Sequence, residues 1–390
     1  RFFPACAMEP PLAISVAAMD GRVYEIHQRP ADTVADAKRQ LVGKLGKAAE
    51  CLSLIWGTAV LDDAESIGSL GLPQQGASLT LLVRRERLVL SGDQDGELRV
   101  WSLDSGSCLQ SLRPQFSAAG STAVRAICTS WDEMLAVCGY GDGRLQLWDL
   151  NDCTCMCTCS GHSGPVRGVA VRWSVRTALS ASQDGHMMLW DLVGGACTQT
   201  IACGYPVLAV SADWDSSRAL GALMNGTLQL WDLRSEDGTK VRTFTGHTRH
   251  VLALAVDWPA KRALSGSMDC RMRLSDLESG ECLRVFTVKR LPRRGDAVNA
   301  VAMDWLGQRA VSGSGDSSLQ LWDLSTGDCL CRLDDPLACP VCAVALLDVG
   351  GPGGAGCLVL AGSSDKRVRL WDVGGSVCRK TMLGHTSPVM

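Results

Sequence analysis

The chain has 390 residues, 46% of them hydrophobic, which is enough for one large or two ordinary domains with a sizeable core. A formal net charge of −3 with 20% charged residues gives no electrostatic case for nucleic acid or a membrane surface as the main partner. No apolar run approaches the ~18 residues of a membrane-spanning helix, and Arg1–Ala7 is too short for a secretory signal.

Residues 1–11 read as an unstructured or non-native leader, because the sequence begins without Met and Met8 is a candidate start. Leu12–Ala18 then alternates apolar residues, Asp20-Gly21 supplies a two-residue hairpin turn, and Arg22–Gln28 returns as a second strand. A helix is expected from Asp32-Thr33. Thr33 with Asp36 makes an approximate capping box, and Val34, Ala37, Leu41 and Leu45 form an apolar stripe at steps of three and four. Gly46 suits its end. Next come a strand over Leu52–Trp56, a short excursion through Leu61, a turn at Asp62-Asp63 and a Ser-Ile-Gly-Ser-Leu segment. A last strand, Ser78–Val83, closes the order strand, strand, helix, strand, short strand, strand.

This order resembles ubiquitin-like domains over residues 12–84. Leu54-Ile55-Trp56-Gly57 through Leu61-Asp62-Asp63, and the strand from Ser78 to Arg84, carry the likeness. The resemblance implies a small α+β β-grasp fold. Conjugatable members end in Gly-Gly, whereas this chain continues through Arg85-Glu86-Arg87, so an embedded, non-conjugated domain is implied. The position of the family's commonest chain-forming lysine is Ala59, and its recognition patch carries over to Ile55 and Leu82 with Thr80 between them. The competing reading makes these ordinary half-exposed residues of a sheet. Residues 85–87 leave a linker with little slack.

From residue 88 the chain repeats itself. The stretch Val311–Cys331 holds an apolar run, a small-residue pair, an aspartate six residues before Trp322, the dipeptide Trp322-Asp323, and Cys329 seven residues after the tryptophan. Its tryptophan position recurs at Trp101, Trp148, Trp190, Trp231, Ser275, Trp322 and Trp371, in steps of 41 to 49 residues. A period of about 45 reads as four strands per unit. A second tryptophan (Trp131, Trp173, Trp214, Trp258, Trp305) precedes the next main position by 17 residues, so hairpin length is constant and variation falls on the connections. Ser78–Val83 also sits where the first unit's innermost strand belongs. If the N-terminal sheet keeps it, the first unit must draw that strand from elsewhere, and residues after Met390 are the expected source.

Residues 88–390 resemble WD-repeat proteins. Trp-Asp stands at 148–149, 190–191, 231–232, 322–323 and 371–372, and Gly-His at 161–162, 246–247 and 384–385. The turn aspartate is read as Asp95, Asp142, Asp184, Asp269, Asp316 and Asp365, with Asn225 in the fourth unit. The resemblance implies a mainly β, seven-bladed propeller, its closing strand cut off at Met390. It also implies a structural hydrogen-bonded set in one blade, supplied by His162, Ser180, Asp184 and Trp190. Recurrence of these residue types as blade furniture argues against a Ser-His-Asp hydrolase triad.

Nineteen cysteines are an odd count, and six of them (Cys108, Cys155, Cys197, Cys282, Cys329, Cys378) lie seven residues after the tryptophan position. That periodicity is expected of small hydrophobes packed in strands rather than of a disulfide framework, and it points to the cytosol or nucleus. Cys153, Cys155, Cys157 and Cys159 alternate along one strand, where four thiolates cannot surround a tetrahedral ion. Cys339 and Cys342 have metal or redox spacing, but no second pair. Lys289, Arg290, Arg293 and Arg294 crowd one connection, either a solvated loop or a contact for an acidic peptide or phosphate. Arg234 follows Trp231-Asp232 and resembles the W-D-x-R box by which some WD-repeat proteins dock on a cullin-type ligase adaptor; the plain alternative is a solvated strand-end arginine.

No phosphate-binding loop, nucleotide fingerprint or paired metal motif is present, so no catalytic, cofactor or metal residue is assigned. The expected function is a non-enzymatic scaffold for other proteins, with the N-terminal domain as a second docking surface. The alternatives are a substrate receptor or adaptor linked to a ubiquitin ligase or the proteasome, and the regulatory part of a longer enzyme.

Overall fold

A computed structural model describes residues 12–18, 22–45, 52–56, 59–73, 77–83, 87–114, 122–288, 297–305, 307–334, 339–347 and 358–390. It divides into two compact units, Arg1–Val89 with Ser102–Ser107, and Leu90–Trp101 with Cys108–Met390.

In the first unit the strands are β1 (Leu12–Ala18), β2 (Val23–Gln28), β3 (Leu52–Trp56), β4 (Ala59–Val60) and β5 (Ala77–Val83), with helix α1 over Val34–Leu45. Their order in the sheet is β2-β1-β5-β3-β4, with β1 and β5 parallel and Ile14 opposite Ala77. The capping box forms: Thr33 N–H donates to Asp36 Oδ2 (2.8 Å) and Asp36 N–H to Thr33 Oγ1 (3.3 Å). That start aligns the predicted stripe with the sheet. Val34, Ala37 and Leu41 are buried against Ile14, Val16, Leu52, Leu54, Leu79 and Leu81. Each valine, leucine or isoleucine among them contributes about 1.5–3 kcal/mol on burial. The Ser-Ile-Gly-Ser-Leu segment forms a 3-10 turn over Ile67–Leu70, capped by Ser66 and anchored by buried Ile67.

The second unit is built of hairpins. Six four-stranded antiparallel sheets occupy residues 124–159, 166–202, 207–244, 251–287, 298–334 and 341–383, and a three-stranded sheet precedes them over residues 88–112. We number these sheets one to seven from the three-stranded one. Within each four-stranded sheet the strands lie in sequence order, which is what short antiparallel connections dictate. The first strands of successive sheets, beginning with Val124–Ser130 and ending with Val341–Leu347, adjoin one another.

Glycine makes that approach possible. A Cβ on Gly139, in sheet two, would stand 2.5 Å from Val166 Cγ1 of sheet three, and one on Gly313 would stand 2.7 Å from Val341 Cγ1 of sheet seven. The same relation holds at both chain ends. A Cβ on Gly92 would meet Val124 at 2.5 Å, and one on Gly362 would meet Val389 at 2.9 Å. Val389 therefore occupies, beside sheet seven, the place taken elsewhere by the first valine of the next sheet. The second tryptophans also tie neighbours together: Trp258 Nε1–H donates to Ser211 Oγ of the preceding sheet (3.1 Å), and Arg262 stacks 5.7 Å from the Trp305 ring.

Ser78–Val83 lies inside β5 of the first unit, as the competition for that strand required. The space beside Leu88–Gly92 is entered by the chain's own last residues. Val389 bridges Asp93, Gln94 N–H donates to Pro388 O (3.0 Å), and Met390 N–H donates to Gly92 O (3.1 Å). On its other side, Val389 N–H donates to Ser363 O (3.2 Å).

Candidate functional site

The four residues expected to act together in sheet three do so. Ser180 sits in the second strand (Thr177–Ser182) and Trp190 in the third (His186–Asp191). Asp184 lies in the turn between them, where Gly185 takes φ 88°, and His162 is on the connection before the first strand. Trp190 Nε1–H donates to Ser180 Oγ (2.8 Å). His162 Nε2 lies 2.7 Å from the same oxygen, and His162 Nδ1 lies 2.7 Å from Asp184 Oδ2. A carboxylate only accepts, so Nδ1 carries the proton and Nε2 accepts a hydrogen bond from the Ser180 hydroxyl. Asp184 also accepts N–H bonds from His186 (2.9 Å) and Ser163 (3.0 Å).

The electrostatics follow from burial. Burial pushes the His162 pKa below its ordinary value, against the opposing pull of Asp184, so the imidazole is neutral. Burial alone would raise Asp184, but His162 and the two backbone N–H groups outweigh it and hold the carboxyl low. Ser180 and Trp190 are 0% exposed, so no substrate reaches the hydroxyl. This Ser-His-Asp arrangement fastens a turn to a strand, and its hydrogen-bonding capacity is used internally.

A second complete set joins the two ends of the repeat region, and sequence reasoning missed it. His385 Nε2 is 2.6 Å from Ser91 Oγ, which accepts Trp101 Nε1–H (2.8 Å), and His385 Nδ1 is 2.9 Å from Asp93 Oδ2. The aspartate is Asp93, not the Asp95 expected from spacing. Asp93 replaces the position that in sheet three is Ser182, and its Oδ1 accepts the N–H groups of Asp95 and Glu97, both at 3.0 Å. The carboxylate thus reaches the histidine from the strand end, while Asp95 turns outward and accepts from Thr386 Oγ1 (3.3 Å).

Other sheets keep part of the arrangement. His247 meets Asp269 (2.9 Å) and Ser265 (2.8 Å), with Ser275 at the indole position. Trp148 donates to Tyr140 Oη (3.1 Å), Trp322 donates to Ser312 Oγ (2.9 Å), and Trp231 Nε1 is buried with no partner among the described residues.

The residues expected to bind partners are scattered over both units. Half-buried Ile55 lies directly opposite exposed Thr80 in β5 and opposite Val60 in β4, which is 63% exposed; Leu82 lies two positions along β5 from Thr80. Arg234 has its side chain 68% exposed. Its Nη2 donates to Ser216 O (3.1 Å) and its backbone N–H to Asp232 Oδ1 (2.9 Å), so the guanidinium folds back on its own sheet. Lys289, Arg290, Arg293 and Arg294 lie outside the described residues. An open concavity of about 400 Å³ is lined by Met224, Asn225, Thr248, Arg249, His250 and Met268.

The periodic cysteines differ from expectation. Cys108, Cys155, Cys197 and Cys282 are exposed, and Cys329 and Cys378 are half-buried. Each sits at a bulge opposite the tryptophan position, for example Cys197 opposite Trp190 and Cys329 opposite Trp322. Their thiols donate to the carbonyl two residues on at 3.4–3.5 Å. The recurring cysteine therefore closes a bulge rather than filling a core. Cys153 departs from strand alternation: it lies in a turn with φ 55°, ahead of the strand Thr154–Cys159.

Residues 106–149, 153–191, 238–276, 280–323 and 327–372, together more than half of the chain, match the family described as WD domain, G-beta repeat. No curated protein matches the sequence. In fold the chain is similar to the crystal structure of the computationally designed Ika8 protein, with a TM-score of 0.58 and 21% identity over 78% of this chain and 86% of that chain. With the repeated four-stranded sheets and the His-Ser-Asp-Trp sets in place, the chain belongs to the WD40 repeat family.

Proposed function

We propose that the chain is a non-enzymatic protein-interaction scaffold: a closed, seven-bladed WD40 propeller that holds partners on its faces, preceded by a ubiquitin-like β-grasp domain that offers a second docking surface. WD40 repeats generally serve as interaction scaffolds, and that membership carries the reading. The buried sets support it, because the only Ser-His-Asp groupings among the described residues are spent on holding turns. The β2-β1-β5-β3-β4 order, with its parallel β1–β5 pair and one packed helix, supports the β-grasp assignment. Free thiols following the repeat suit the cytosol or nucleus.

Affinity purification of the full chain, followed by reconstitution with each recovered protein, tests this. Saturable binding to at least one protein partner is expected. Turnover of a recovered protein by the purified chain would overturn the scaffold reading. A narrower reading, adaptor in a ubiquitin-ligase or proteasome-linked complex, is favoured by exposed Arg234 after Trp231-Asp232 and by the half-buried Ile55 beside exposed Thr80 and Val60. Arg234→Ala or Ile55→Ala should then lower recovery of ligase or proteasome subunits; if neither change does, that reading fails.

A further inference from the structure

The first strand of every four-stranded repeat sheet carries a bulge at the same level. The extra residues are Arg125, Arg167, Leu208, Leu252, Asn299 and Cys342. A bulge re-aims the side chain it carries. At this level the apolar or neutral side chains are interrupted by two arginines, and these two stand on adjoining strands, Val124–Ser130 and Val166–Arg172.

Some buried or half-buried arginines elsewhere in the repeats have carboxylate partners, such as Arg144 with Asp142 (2.7 Å) and Arg332 with Asp316 (3.1 Å). Among the described residues Arg125 and Arg167 have none. Arg125 Nη1 lies 3.8 Å from Met390 Sδ, and its Nε is buried without a hydrogen-bond partner. Burial, helped by the like charge of Arg125, holds the Arg167 pKa below its ordinary value. Burial raises the Cys342 thiol while Arg125 pulls it the other way, so the field of Arg125 extends to Cys342 as well.

Two half-buried like charges with an orphaned donor are unfavourable unless an anion is held there. One carboxylate would neutralise only one of them. A phosphate monoester carries close to two negative charges at neutral pH and three acceptor oxygens, and guanidinium forks match that geometry. We propose that Arg125 and Arg167 together bind a phosphate monoester dianion at the bulge level of the first strands. This goes beyond the scaffold reading.

The test uses the full chain in phosphate-free buffer at fixed ionic strength. Inorganic phosphate and O-phosphoserine are titrated by calorimetry, with thermal melts alongside. Wild type should bind both saturably and melt at higher temperature when they are present, beyond the effect of chloride. Arg125→Gln and Arg167→Gln should each weaken binding roughly tenfold or more. In phosphate-free buffer each should melt at or above wild type, because a like charge has been removed; a merely structural arginine would give the opposite. Tighter binding of phosphoserine marks a protein-borne phosphate as the source, and equal or tighter binding of inorganic phosphate marks a free anion. The proposal is overturned if wild type shows no saturable phosphate effect, or if both variants bind phosphate as wild type does.

Discussion

Removing His385 tests whether the two ends of the repeat region are fastened to each other. In His385→Ala the Ser91 hydroxyl loses a partner at 2.6 Å, and Asp93 Oδ2 loses one at 2.9 Å. Asp93 is 0% exposed, so water cannot replace the lost bond without opening the site. Leaving a buried acceptor unsatisfied costs about 1–3 kcal/mol, and more when it is charged. The imidazole also packs on Trp101 with ring centroids 5.8 Å apart, a contact worth about 0.5–1.5 kcal/mol. The expected loss is ~2–4 kcal/mol, or roughly 4–8 °C in melting temperature for a repeat domain of this size. His162→Ala is the internal standard, since it removes the same contacts at 2.7 Å and 2.7 Å within one continuous segment. Calorimetric melts of the two variants should shift alike. If His162→Ala falls by several degrees while His385→Ala melts with wild type, the account of the chain ends is refuted.

Gly313→Ala should destabilise by about 1–3 kcal/mol, because the new methyl would stand 2.7 Å from Val341 Cγ1 and 2.8 Å from Val344 Cγ1. Adding Val341→Ala should recover part of the loss in a urea titration, and additivity of the two changes would argue against direct packing. Stability should also depend on pH in a stated direction. Burial holds His162, His247 and His385 below their ordinary value of about 6.5, so the unfolded chain binds more protons as pH falls below that value. Melting temperature should therefore decline on acidification from about pH 7 to 5. It should decline again below about 4, where Asp184 and Asp269, held low in the fold, stay ionised while their unfolded counterparts protonate. A melting temperature that rises between pH 7 and 5 would contradict this.

Much of the fold was legible because hairpin geometry forces constant spacing. Main and second tryptophans 17 residues apart can hold that distance only if strands and turns keep their lengths, and Trp148, Trp190 and Trp322 all lie on the third strands of their sheets. The helix start was legible because Thr33 and Asp36 satisfy each other locally. What escaped was non-local. The chemistry of Asp93 is indistinguishable from that of Asp95 until His385 arrives from the far end of the chain. Cysteine periodicity reports a repeated environment without saying which one, and here that environment is a bulge on the fourth strand rather than a core. Arg125 and Arg167 look like ordinary alternating residues in Val124-Arg125-Ala126 and Val166-Arg167-Gly168. Only the bulges, which break alternation, place them together.

The central structural claim is that residues 385–390 pack against sheet one and join the two ends of the repeat region. Amide hydrogen exchange reads this directly at Gln94, Val389 and Met390, whose N–H groups donate to Pro388, Ser363 and Gly92 at 3.0, 3.2 and 3.1 Å. Protection at these three amides should track the protection of the first strands, such as Val166–Arg172, and be lost with them as denaturant is added. Exchange at the rate of an unstructured tail, while the first strands stay protected, would contradict the contacts of residues 388–390 with sheet one.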